Sequence, residues 1–492
     1  MSQLRDGKAP GIDGIVPKLL IECAGVLCVP LLLIYSKSLQ EGKVPKDWKR
    51  ANVSAIFKKD SKELAGNYRP VSLTSNVCKV LESIIKDSII KHLADNLLIN
   101  DSQHGFVKGR SCLTNLLEFL EDVTNSLDKG KPVDVIYLDF QKAFDKVPHK
   151  RLLEKVKSLG IEGTVYNWIK DWLNDREQRV ILGNAASDWV KVTSGVPQGS
   201  VLGPILFLIY INDIDDGIAC KLLKFADDTK IYSEVGSSDD ILKLQNDLIQ
   251  MGKWSSDWLM LFNTGKCKVM HFGFNNVQTS YTINGQTLST VTEEIDLGVL
   301  FQSNMKCDRH CANVVAKANR TLGMIKRCFS SKGKDIILSL YKSLIRPKLE
   351  YAVQAWSPCL RKDIDLLERV QRRATKMIAG MQGRSYVDRL KMLNLTTLET
   401  RRVRGDMIEV FKILKGFDMV EVGKFFTNNV GITRGHGLKL FKYGSRLDCH
   451  KYCFSHRVVD FWNSLPSDIV ACNTIGKFKK DLDKFMEGRG YL

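Results

Sequence analysis

The 492-residue sequence lacks any apolar run long enough to cross a bilayer. The longest near its N-terminus, Val26–Tyr35, is ten residues long and contains Pro30, whereas a spanning α-helix needs about 20. Met1–Asp13 is polar and has no apolar core of the kind a secretory leader carries. Together these absences point away from an anchored or exported protein, and the expectation is a soluble, intracellular one. Paired metal-ligand spacing is also missing. The thirteen cysteines are odd in number and scattered, which predicts reduced thiols. Two clusters, Cys307/His310/Cys311 and Cys449/His450/Cys453/His456, lack the C-x₂-C with H-x₃₋₅-H arrangement of a closed zinc site, and both read as incidental. There is no internal repeat and no low-complexity linker.

Negative charge is in short supply. Seventy-three Lys and Arg face 55 Asp and Glu, a formal net charge of +18, so an anionic partner is expected. The excess is uneven. Residues 301–420 hold 25 basic against 11 acidic side chains, while residues 136–240 hold 13 against 16. A basic region thus follows an acidic middle. The length allows two to four domains, and the 44% hydrophobic fraction is that of a folded globular chain.

Residues 1–50 read as loop, then helix. "ANVSAIF" and "YRPVSL" read as a strand and its return around a polar turn, "KKDSKELAGN". Leu113, Leu116, Leu117, Leu120, Val123 and Leu127 fall on one helical face, with Gly130 beyond it. "VDVIYLDF" reads as a buried strand ending at Asp139, and "VLGPILFLIYIND" as a buried helix. A helix is predicted from Asp239 to Trp258, with short strands at "KVMHFG" and "EIDLGVLF". After Asn304 basic amphipathic helices dominate, one of them carrying Arg372 and Arg373.

In "KLLKFADDTKIYSEV", Asp227 and Asp228 occupy the turn of a predicted hairpin. Taken alone, this is ordinary turn chemistry. If the Asp139 strand is a neighbour, three carboxylates converge, and like charges at close range raise each other's pKa unless cations neutralise them. Hard oxygen ligands suit Mg²⁺, and two such ions can clamp a phosphoryl transfer.

Seven stretches then carry a resemblance. "VIYLDFQKAFDKVPH", "TSGVPQGSVLGPILFLIYINDI" and "FADDTKIY" resemble motifs A, B and C of reverse transcriptases. "NYRPVSLTSNVCKVLE" and "QHGFVKGRS" resemble the fingers motifs, and "NTGKCKVMHFG" and "DLGVLF" motifs D and E. In order and separation they are similar to the polymerases of non-LTR (LINE-type, jockey-like) retrotransposons, and so are "LYKSLIRPKLEYAVQAWSP", "LLERVQRRATKMI" and "TRGHGLKL" further on. The resemblance implies an α+β right-hand polymerase: fingers over residues 1–132, palm over 133–300, a thumb-like helical basic region over 301–400 and an extension over 401–492. The activity implied is RNA-directed DNA synthesis from template RNA, primer DNA and dNTPs with two Mg²⁺, Mn²⁺ substituting.

Residue by residue, the resemblance implies metal ligation by Asp139, Asp227 and the Phe140 carbonyl, with Asp228 completing the acidic cluster and Asp145 structural. It implies that Phe144 gates the sugar and that Gln198 and Gly199 lie along the nucleotide, glycine permitting close backbone approach. Lys58 and Arg69 would hold the triphosphate. Lys266, with Lys268 as its rival, would protonate the leaving group. Asp296 stands where an aromatic is common. A viral-type RNA polymerase is disfavoured by Ala226 and Phe144. A domesticated, inactive nucleic-acid-binding relic is the alternative, against which the acidic triad is intact. The resembled elements carry an upstream endonuclease, so nicking is expected from another segment or polypeptide, and the location expected is nuclear, with a cytoplasmic ribonucleoprotein as the variant.

Overall fold

The computed structural model describes residues 1, 4–58, 61–429 and 435–490. Lys59 and Asp60 of the polar turn, and Thr433 and Arg434 of the "TRGHGLKL" stretch, lie outside them. Helices and sheets are mixed in an α+β manner.

In chain order, β1 (Arg50–Phe57) and β2 (Tyr68–Leu73) form the anticipated antiparallel hairpin. β3 (Val133–Leu138) is buried at every position. β4 (Arg176–Leu182), β5 (Ala185–Ala186) and β6 (Val190–Val192) follow. β4 lies parallel to β1, giving a first sheet in the order β2-β1-β4-β5, with β6 also on β4. β7 (Lys221–Phe225), β8 (Asp228–Glu234) and β9 (Lys268–Phe272) join β3 and the short strand Ser289–Thr290 in a second sheet. Its order is Ser289–Thr290, β9, β3, β8, β7.

β3 can be a continuous apolar run because both faces of this sheet are covered. Ile136 and Leu138 face the largest core, which includes the buried helix Gly203–Ile211. Val133, Val135 and Tyr137 face a second layer with Phe119 and Val123.

The helix Cys112–Asp128 begins at a capping box, in which Ser111 and Thr114 satisfy each other's backbone N–H groups. Its apolar residues lie on one helical face, as anticipated, but that face is divided among three cores. Leu116 belongs to a core with residues between Val299 and Leu398, Leu117 to one with residues between Met407 and Met486, and Phe119, Val123 and Leu127 to the layer behind the second sheet. Three cores meet on one helix.

One further expectation is corrected. Asp227 and Asp228 do not share the hairpin turn. The last pair is Phe225 with Asp228, so the tip is Ala226–Asp227 and Asp228 is the first residue of β8.

Candidate active site

The second sheet sets the carboxylates. β3 and β8 run antiparallel, and their last paired residues are Leu138 and Thr229. One step beyond stand Asp139 and Asp228, with Asp227 on the adjoining tip. The tip is held tightly. Ala226 takes φ 56°, a conformation that costs a non-glycine residue about 1 kcal/mol. The Gln103 carboxamide oxygen accepts from the N–H of Ala226 at 2.9 Å and of Gly105 at 2.7 Å. A Cβ on Gly105 would lie 2.4 Å from the Ala226 nitrogen, so glycine is needed there. The backbone of Lys224 exchanges hydrogen bonds with Ser102 and His104, and Asn115 donates to its carbonyl. Gln103, Gly105 and Asn115 position the tip and were not singled out from sequence; the sign was an amide two residues before a glycine in "QHGF".

The electrostatics follow from the crowding. Burial, then Asp139, raises the Asp227 pKa, while Arg69 and Lys58 oppose the shift. Asp228 is pushed up to about 6 by the low-dielectric walls of the cleft, then by Asp227, Asp296 and Asp139. Asp228 still reaches solvent, so the neighbouring negative charges are an essential part of its shift. Lys266 Nζ lies 3.1 Å from Asp139 Oδ2. Lys268 instead donates to Ser289 Oγ at 2.7 Å and the Gly265 carbonyl, which separates the two lysines: only Lys266 reaches the acidic group. Asp296 is buried in an ion pair with Lys230, so the residue standing in place of an aromatic is charge-balanced. Asp139, Asp228, Lys230, Lys266, Lys268 and Asp296 line a cavity of about 340 Å³.

An all-oxygen donor set with surplus negative charge fits a hard divalent cation, and Asp139, Asp227 and Asp228 are the side chains that could hold one. Phe140 is buried and stacked on Phe262 at 4.6 Å. Its ring belongs to the core, and only its carbonyl is a candidate ligand.

A second group gathers on the loop before the buried helix. Phe144 is half-buried and stacked on Phe207 at 4.4 Å. The Gln198 amide donates to Asp145 Oδ1 at 2.9 Å. Gly199 has φ 126°, and a Cβ there would meet the Ser72 carbonyl at 2.4 Å; the Ser72 N–H donates to the Gln198 carbonyl at 2.7 Å. The close approach that requires glycine is therefore to the backbone of β2. Lys58 and Arg69, exposed on the β1–β2 hairpin, reach the aspartates through their field.

The two cysteine–histidine clusters differ. His310 Nδ1 accepts from the Leu300 N–H at 2.9 Å and its ring packs on Trp356, a satisfied core histidine. In the second, read from sequence as incidental, His450, Cys453 and His456 come together, because a turn between two short helices folds them inward.

The model of the family described as "Reverse transcriptase (RNA-dependent DNA polymerase)" matches residues 56–313, which include the whole acidic group. The chain is 25% identical over 387 residues to the "Probable RNA-directed DNA polymerase from transposon BS" of Drosophila melanogaster, covering 75% of this chain and 43% of that protein. It is 28% identical over 397 residues to the "RNA-directed DNA polymerase from mobile element jockey" of Drosophila funebris, covering 77% and 43%. Similarity to the "Retrovirus-related Pol polyprotein from type-1 retrotransposable element R1" of Bradysia coprophila is 26% over 388 residues, covering 74% and 37%. The matched part of the chain spans less than half the length of each of these relatives.

Proposed function

The chain belongs to the reverse transcriptase (RNA-dependent DNA polymerase) family, and on that premise we propose that it extends a DNA primer on a template RNA with dNTPs, copying retrotransposon RNA of the LINE type. The observation that carries this reading is the convergence of Asp139, Asp227 and Asp228 at the open end of β3 and β8, inside the family-matched span.

In this reading Asp139, Asp227 and the Phe140 carbonyl hold two Mg²⁺, Mn²⁺ substituting, and Asp228 completes the cluster. When bound, such ions activate the primer hydroxyl and stabilise charge on the phosphate being transferred. The rest falls to the chain's own groups. Lys58 and Arg69 hold the triphosphate, the arginine as a fork and the lysine as a point charge. Gln198 and Gly199 bound the nucleotide, with Gln198 aimed by Asp145. Phe144, braced by Phe207, presents a rigid ring to the sugar. Lys266, held at Asp139, is the proton donor to the leaving group.

Fingers (1–132), palm (133–300), a thumb-like region (301–400) and an extension (401–492) are the proposed parts. Separate cores over Val299–Leu398 and Met407–Met486 support the last two boundaries. The basic excess of residues 301–420, with Arg372 and Arg373 exposed, suits the phosphate backbone. The primer end would come from a nicking endonuclease in another segment or polypeptide, and the site of action would be the nucleus.

Primer extension on matched RNA and DNA templates, with dNTPs or rNTPs, tests the reading. Extension on RNA with dNTPs is expected. A chain that uses only rNTPs, or only DNA templates, is not the polymerase proposed.

A further inference from the structure

We propose that His450, Cys453 and His456 bind a Zn²⁺ ion that fastens the C-terminal segment to the helix Cys112–Asp128. The three residues are spaced three apart, and on one straight helix such side chains would drift around the axis. Here the chain breaks into helices Asp448–Lys451 and Phe454–Arg457, with Cys453 between them. One ligand atom from each residue lies within 4.8 Å of the others, and the two imidazole centroids are 4.0 Å apart. Tetrahedral zinc sets neighbouring donors roughly 3.5 Å apart, given Zn–N and Zn–S bonds of about 2.0 and 2.3 Å. Closure therefore asks for side-chain movements of about 1 Å.

Two observations separate this group from a chance meeting of polar residues. Nδ1 of His450 is buried and makes no hydrogen bond of good geometry, so the group it faces is held by charge and proximity alone. A carboxylate is also at hand: Asp128 Oδ2 stands 3.4 Å from that nitrogen. Its other oxygen accepts from the N–H groups of Arg446 and Leu447, both at 2.7 Å. The ring of His456 is held by Ser445 Oγ, 3.0 Å from its Nδ1. Oriented imidazoles with a carboxylate beside them are the usual surroundings of a zinc-binding histidine.

The donors also choose the metal. A thiolate with two imidazoles favours Zn²⁺ over Mg²⁺, whereas the all-oxygen group at Asp139 has the opposite preference. The fourth position falls to Asp128, whose Oδ2 stands at donor-to-donor distance from His450 Nδ1. Because Asp128 ends the helix Cys112–Asp128, a metal there would cross-link residues more than 300 positions apart. This inference does not depend on polymerase activity.

The test is metal content of the 492-residue protein after exhaustive dialysis, read by inductively coupled plasma mass spectrometry. We expect about one zinc per chain in the wild type and in Asp139→Asn, and less than about a tenth of that in a Cys453→Ser/His456→Ala double variant. Exchange into Co²⁺ should give the wild type a thiolate-to-cobalt charge-transfer band that Cys453→Ser lacks. The band in the wild type supports the site even if the double variant does not fold. A wild-type chain that neither carries zinc nor develops the band overturns the proposal, as does a folded double variant that retains its zinc.

Discussion

The Gln198 side-chain amide donates to Asp145 at 2.9 Å, tying the loop before the buried helix to the short turn that follows Asp139. In the proposed mechanism, a residue beside the nucleotide is thereby aimed by a carboxylate behind it. Asp145→Ala should raise the KM for dNTP about tenfold, the equivalent of one hydrogen bond to an ionised group, with a smaller effect on kcat. Gln198→Ala should do the same, and the double variant should be little worse than either single one. Steady-state extension kinetics on all three variants decides it: fully additive losses would mean the two side chains act separately.

Asp139→Asn and Asp227→Asn should each slow nucleotide addition at least about a thousandfold, since each removes a charge from the group that stabilises the reacting phosphate. Template binding, proposed to rest on basic surfaces elsewhere, should change by less than about twofold. Fluorescence anisotropy with labelled RNA and single-turnover extension separate the two effects. Near-normal extension by either variant would remove that aspartate from the chemistry.

Phe144→Val opens space where the proposed mechanism places the sugar and also forfeits the stacking on Phe207. It should lower stability by about 1–2 kcal/mol and raise rNTP incorporation, because a hydrophobic pocket rejects an added hydroxyl poorly once the rigid ring is gone. Equal loss on both sugars, in competition assays, would make Phe144 a packing residue only.

Burial raises the Glu121 carboxyl to about 7 from 4.5. Below its unfolded pKa the folded and unfolded states are equally protonated. Between 4.5 and 7 the folded state holds more protons, so the stability this group contributes is lost as pH rises. Ser455 Oγ donates to Glu121 at 2.6 Å, which puts the effect at the contact between the helix Cys112–Asp128 and the C-terminal segment. From about pH 5 to about pH 8 the wild type should lose about 1–2 kcal/mol more than Glu121→Gln. Urea denaturation at each pH measures the difference, and parallel curves for the two proteins would discount Glu121.

Much of the site was legible because its signals are local. A strand buried on both faces reads as an unbroken apolar run, and Asp139 marks where "VDVIYL" stops. The hairpin was legible to within one residue. That last residue was not, because the tip is chosen by Gln103, which holds Ala226 from 123 positions away. The strand β4 went unread for a similar reason. "REQRVIL" runs from four charged or polar residues into three apolar ones without alternation, with only its first residue buried, and its place comes from parallel pairing with β1. Lys266 and Lys268 were indistinguishable in sequence; the turn before β9 sends one to Asp139 and the other to Ser289. His450, Cys453 and His456 fit no familiar zinc spacing, and only the break between two short helices brings them together.

The helix Cys112–Asp128 contributes to three cores, and that has a consequence for how the chain is made. Its second-sheet side can pack once Val133–Phe272 has been synthesised, but Leu117 must wait for partners as late as Met486. During translation at roughly 5–20 residues per second, that side stays uncovered for tens of seconds. A ribosome-bound chain ending between residues 280 and 400 should therefore have a folded central sheet and a persistent apolar stripe, open to holdase chaperones until the last helix, Ile475–Gly488, has emerged.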